Sequence, residues 1–142
     1  MDNLVVDSSV AIKWFVVEPY STEARRILDA YQNGTISFLA PDLINAEIGN
    51  IVWKKHIFQG LAASHAADIL DKFRQLHITF TPTAELLEDA YEIAARHHRT
   101  VYDSLYLALS VRENCQCVTA DEKLVNAVCT HFVNLVWLAN WP

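Results

Sequence analysis

The chain has 142 residues, 52% hydrophobic and 20% charged, which is the size of one domain with enough apolar material for a core. Seventeen acids against eleven Lys plus Arg give a formal net charge of −6. That excludes a protein held to nucleic acid by a broad positive field, but not an enzyme whose acids carry metal, since a bound cation inverts the local field.

No apolar run approaches the length of a membrane span, and Met1-Asp2-Asn3-Leu4 lacks the basic end of a secretory signal. Cys115, Cys117 and Cys129 cannot all pair within the chain, and a lone C-x-C is a poor zinc signature. Reduced thiols and a cytoplasmic location are expected.

Leu4-Val5-Val6-Asp7 reads as a buried strand that ends in an acid, with Ser8 or Ser9 available to cap a following helix. Residues 21–32 carry Ala24, Ile27, Leu28 and Tyr31 at helical spacing, closed by Asn33-Gly34. A second strand over 36–40 is stopped by Pro41. Helices are predicted over 42–58, ended by Gly60, and over 62–76. A third strand, Ile78-Thr79-Phe80, stops before Pro82. Helices over 83–97 and 103–114 follow, the second apolar almost all round and therefore buried. The pair His97-His98 falls at a helix end and reads as loop. Cys117-Val118-Thr119 is a fourth strand, 121–129 a short helix and 133–136 a last strand. Strands alternating with helices imply a parallel sheet covered on both faces, whose site lies beyond the carboxyl ends of the strands.

Four acids stand at informative places. Asp7 follows three apolar strand residues, where it serves either a site or a helix cap. Glu47 has Leu43, Ile44 and Ile51 as helical neighbours, so it lies within or beside the apolar stripe. A partly buried carboxylate there needs a cation or hydrogen-bond donors, from a salt bridge such as Lys54 or from a metal. Asp103 opens the buried helix, where capping is again the alternative. Asp121 repeats the Asp7 pattern of strand, acid and helix. Together they form an oxygen-rich set without His or Cys at ligand spacing, suited to a hard ion such as Mg²⁺ or Mn²⁺. Such ions promote hydrolysis at phosphorus.

Four blocks carry a resemblance over essentially the whole chain. They are Leu4-Val5-Val6-Asp7-Ser8-Ser9-Val10-Ala11-Ile12-Lys13-Trp14, Glu47-Ile48-Gly49-Asn50-Ile51-Val52-Trp53, Tyr102-Asp103-Ser104-Leu105-Tyr106-Leu107-Ala108-Leu109, and Val118-Thr119-Ala120-Asp121-Glu122-Lys123-Leu124. In this order they resemble the PIN-domain ribonucleases, in particular the VapC-like toxins of toxin–antitoxin pairs. The resemblance implies a three-layer α/β/α sandwich with a central parallel sheet, one domain over residues 1–142, and RNA as substrate. It also implies a homodimer and an antitoxin partner.

By the same resemblance Asp7, Glu47, Asp103 and Asp121 correspond to metal-binding acids. Ser9 and Thr119 correspond to polar positions around the metal or phosphate, and Asn50 to a position hydrogen-bonded to the acids. Some family members carry a further acid after the fourth. Here Glu122 reads as surface, which favours one ion over two.

Lys13, Arg96, Arg99 and Lys123 are the nearest cations by sequence, with Lys13 and Arg99 taken as substrate-binding. Trp14, Trp53 and Tyr102 are expected to pack in the core rather than stack on bases. Rival readings are a phosphatase with Asp7 as nucleophile, a regulatory module that holds Mg²⁺ without turnover, and a chain whose main task is to bind antitoxin at an operator. The first lacks its usual second acid, Ser9 standing in that place. The second does not explain Glu47 inside the stripe.

Overall fold

In a computed structural model, which describes residues 2–142, the first strand β1 (Asp2–Val6) buries Leu4, Val5 and Val6. Burial on both faces suits a β-branched run with no polar alternation. A single-turn helix α1 (Ser8–Ala11) and a 3₁₀ turn at Ile12–Trp14 lead to α2 (Ser21–Gln32) and then β2 (Ile36–Pro41). Helices α3 (Leu43–Gln59) and α4 (Ala63–Gln75) form a hairpin before β3 (Thr79–Thr81). Its turn runs through Gly60 at φ 73°, a left-handed conformation that a side chain would strain. Then come α5 (Thr83–His97), α6 (Val101–Glu113), β4 (Gln116–Thr119), α7 (Glu122–Val128) and β5 (Leu135–Trp137).

The strands form one parallel sheet in the order β3-β2-β1-β4-β5, flanked by the seven helices. The chain moves outward from β1 to β3, then returns across the sheet to start β4 on the other side of β1. The order therefore reverses between β1 and β4, and in parallel sheets the crevice at that reversal collects ligands. Val6 pairs with Val118, so Asp7 and Thr119 leave the sheet side by side, and Asp7 N donates to Val118 O at 3.2 Å. The α/β expectation holds, as does the burial of α6, where Ser104 to Ser110 are all buried.

Several local expectations are corrected. Pro41 is itself the last residue of β2, one beyond the expected end and past the last pairing with β1, and Asp42 N donates to Thr81 O. The last strand begins at Leu135 because Val133, 84% exposed, belongs to the preceding turn. Helix α6 starts two residues earlier than predicted. Thr100, not Asp103, caps it, its hydroxyl accepting from Asp103 N at 3.1 Å.

His97 is the last residue of α5 rather than loop, its ring 4.8 Å from that of His131. Trp14 does pack in the core, stacked on Phe38 at 4.8 Å with Nε1 donating to Ala24 O. Trp53 and Tyr102 do not: they are 52% and 61% exposed. Trp53 stands off the α3 stripe of Ile44, Ile48 and Val52, and Tyr102 lies in the first turn of α6, ahead of its buried span. Among the described residues, no helix is long and apolar enough to cross a membrane.

Candidate metal centre

Asp7 is buried at the end of β1. It stands in the capping position of α1 but accepts no capping bond with its side chain. Instead its oxygens take hydroxyls: Thr119 Oγ1 donates to Oδ2 at 2.7 Å, Ser9 Oγ to Oδ2 at 3.1 Å, and Ser8 Oγ to Oδ1 at 3.3 Å. Ser9 Oγ also receives Ala120 N at 3.0 Å, and Thr119 Oγ1 receives Asp121 N. These bonds tie the carboxyl ends of β1 and β4 together at the reversal point of the sheet.

Glu47 reaches the same end from α3 and is half-buried. No lysine pairs with it. Its Oε1 accepts a hydrogen bond from the Tyr106 hydroxyl, and Ser8 stands within hydrogen-bonding reach of both. Tyr106 is buried on α6, one turn beyond Asp103. Tyr106 and Ser8 are the members that sequence reasoning misses. Tyr106 reads as one more apolar face residue, and only the rule that a buried phenol seeks a hydrogen-bond acceptor pointed to a partner. Asp121, exposed, does cap its helix, Oδ1 accepting from Lys123 N and Leu124 N. One of its oxygens is thereby spent on the α7 terminus.

The electrostatics show that these acids are neighbours. Burial raises the Asp7 carboxyl above its ordinary value, against the hydroxyl bonds that lower it. Glu47 is raised first by burial and then by the charges of Asp7 and Asp103, with the Tyr106 bond opposing. Asp103 is raised by burial, then by Asp7 and Asp121, and eased by Arg99. Tyr106 is pushed far up by burial and by the two carboxylates, so it stays a neutral donor. Among the described residues, none of the four acids forms an ion pair.

The donors are all oxygens, which fits a hard divalent ion. Among the described residues, no three His, Cys, Asp or Glu side chains close on a single point. The fit to a hard ion thus rests on the oxygen chemistry of the donors and not on a closed set of ligands.

Other expected site residues fall differently. Lys13 is buried, and its ammonium lies 3.2 Å from Glu18, which also holds Lys55 at 2.7 Å. It is thus committed to an ion pair. Arg99 is half-buried beside Asp103, its Nε donating to His98 O. Asn50 is exposed one turn beyond Glu47 and does not make the expected hydrogen bond to the acids. Glu122 is exposed, as expected. A cavity of about 630 Å³ between α5, α6 and residues 131–132 contains none of the four acids. They gather at the rim of the sheet where β1 and β4 end.

Residues 4–128 match the family model of the PIN domain. The chain is similar to Ribonuclease VapC3 of Pyrobaculum aerophilum, 32% identical over 126 residues covering 85% of this chain and 91% of that protein. It is also similar to Ribonuclease VapC9 of Mycobacterium tuberculosis, 30% identical over 121 residues covering 85% and 87%. The fold is shared with VapBC2 from Rickettsia felis, solved bound to a DNA fragment from their promoter. That match has a TM-score of 0.65 and 14% identity, over 95% of this chain and 96% of the other.

Proposed function

This chain belongs to the PIN domain family, and from that premise we propose that it is an Mg²⁺-dependent endoribonuclease, the toxin of a toxin–antitoxin pair. Ribonucleases of the family generally depend on a divalent metal. One observation carries the reading to this chain: Asp7, Glu47 and Asp103 are drawn from water onto one rim, where Asp7 raises the proton affinity of both Glu47 and Asp103. A charge arrangement of this kind is costly unless a cation completes it.

Asp7, Glu47, Asp103 and Asp121 would hold Mg²⁺, with Mn²⁺ as a substitute. When bound, the ion supplies the Lewis acidity that hydrolysis at phosphorus requires. Thr119 and Ser9 fix the Asp7 carboxylate from β4 and α1 through its Oδ2. Tyr106 fixes Glu47 in the same way. Arg99, beside Asp103, meets phosphate charge, and Asn50 lies exposed on the Glu47 helix for the strand's polar edge. No side chain acts as a covalent nucleophile. Residues 1–142 act as one nuclease domain, in the cytoplasm and as a homodimer, and an antitoxin covers the acids when the toxin is silent.

The test is expression of the chain alone with mapping of cellular RNA ends. Wild type is expected to cut RNA only with a divalent ion. Asp7→Asn is expected to lose more than about a hundredfold in cleavage, beyond what supporting partners of a metal site contribute, while still binding the antitoxin. Metal-independent cutting, or full activity of Asp7→Asn, overturns the proposal.

A further inference from the structure

Tyr20 has φ 68° and ψ 15°, a left-handed conformation that is an outlier for a bulky side chain. It lies in the turn Glu18-Pro19-Tyr20-Ser21, closed by Ser21 N donating to Glu18 O at 3.1 Å. Proline second and a positive φ third is the pattern of a type II turn, whose third place usually takes glycine or asparagine. Backbone strain of this kind persists where surrounding structure enforces it. Here the enforcement is visible: Ser21 Oγ accepts from Glu18 N and donates to Val16 O, and Lys13 and Lys55 clamp the Glu18 carboxylate.

The strained turn sets the Tyr20 ring edge-to-face on Trp137, with centroids 5.8 Å apart at 70°. Tyr20 is nevertheless 43% exposed, so burial of its own ring does not account for the strain. The buried Nε1 of Trp137 has no hydrogen-bond partner among the described residues. This residue is the register partner of Thr119, and Thr119 leaves the sheet beside Asp7. Asp7, Thr119 and Trp137 thus form one row across β1, β4 and β5, with the indole two strands, about 10 Å, from the acid. The indole and the acids thus stand at the same end of the sheet.

We propose that Tyr20, backed by Trp137, is a stacking platform for a nucleobase of the RNA strand next to the bond that is cut. This rests on the nuclease reading of the neighbouring acids. It supplies what that reading lacks, because a chain of net charge −6 with Lys13 already paired cannot hold RNA mainly by its phosphates. Stacking is insensitive to that charge, and each stacked base contributes substantially to single-strand binding. The Lys13–Glu18–Lys55 cluster then serves the substrate indirectly, by fixing the turn.

Tyr20→Gly separates the two roles that the ring could have. Glycine suits the left-handed position, so the variant is expected to melt at or above wild type. Full-length Asp7→Asn and Asp7→Asn/Tyr20→Gly are compared for binding of labelled single-stranded octa-adenylate and octa-uridylate. Kinetics are measured in parallel on the single Tyr20→Gly chain. The platform predicts about tenfold weaker RNA binding and about tenfold higher KM, with kcat within about twofold and Tyr20→Phe like wild type. Equal RNA affinity with and without the ring overturns it, as does a loss of melting temperature that accounts for the loss of binding. Cutting by wild type is scored separately. If wild type cuts and the ring makes no difference, the platform alone falls; if wild type does not cut RNA, the nuclease falls and the platform with it.

Discussion

Glu18 and Asp7 are both carboxylates drawn away from water, and the chain treats them in opposite ways. Burial pushes Glu18 up, but hydrogen bonds and charge from Lys55 and Lys13 outweigh it and leave its carboxyl below the ordinary value. Burial also pushes Asp7 up, and there the opposing groups are neutral, three hydroxyls and the backbone of Ser9. Around Asp7 the next charges are more carboxylates, which raise Glu47 and Asp103 further. The chain has lysines to neutralise a partly buried acid and uses two of them on Glu18. Their absence from the Asp7 rim distinguishes a structural cluster from one that a ligand must complete.

Disturbing the acid side should change chemistry more than stability. The larger effect is expected from Tyr106→Phe, which removes the hydroxyl holding Glu47. The ring still packs, so the fold should be kept while metal affinity and cleavage fall about tenfold, in the range for a partner behind a metal ligand. Metal titration of cleavage rates checks this, and an unchanged metal requirement would separate Tyr106 from the site.

Disturbing the Glu18 side should do the reverse. Lys55→Met leaves a half-paired, partly buried carboxylate and should cost about 1–2 kcal/mol, between an exposed and a fully buried pair. Because the folded value of Glu18 is lowered, its contribution is present above its unfolded value and is lost as pH falls through the folded one. The loss in Lys55→Met, measured by urea unfolding, should therefore shrink toward acid pH.

The contrast also shows what the sequence made legible. The alternation of strands and helices was readable from the apolar runs, and each acid drew notice by its place in them: Asp7 and Asp121 after strands, Asp103 at the start of a buried helix, Glu47 inside a helical stripe. Tyr106 was not, because its phenol looks apolar by periodicity and its partner lies 59 residues away. Lys13 was misread for a related reason. Position along the chain put it near Asp7, but its pairing with Glu18 depends on the turn that follows α1. Thr100 took the capping role that was the alternative reading of Asp103, through a boundary shifted by two residues, a common uncertainty at helix ends. Trp53 and Tyr102 were assigned to the core as large aromatics, although Trp53 stands off the α3 stripe and Tyr102 precedes the buried span of α6.

The most direct test of the unbalanced rim is thermal unfolding of wild type and Asp7→Asn at neutral pH, each with and without Mn²⁺. Asp7 binds its proton more tightly folded than unfolded, so its charge opposes folding at neutral pH, and this cost fades as pH falls through the folded value. The metal-free Asp7→Asn chain is therefore predicted to melt no lower than metal-free wild type, while Mn²⁺ raises the wild-type melting temperature and leaves the variant nearly unchanged. A metal-free variant that melts well below wild type, together with equal gains from Mn²⁺ in both, would contradict a rim built to be completed by a cation.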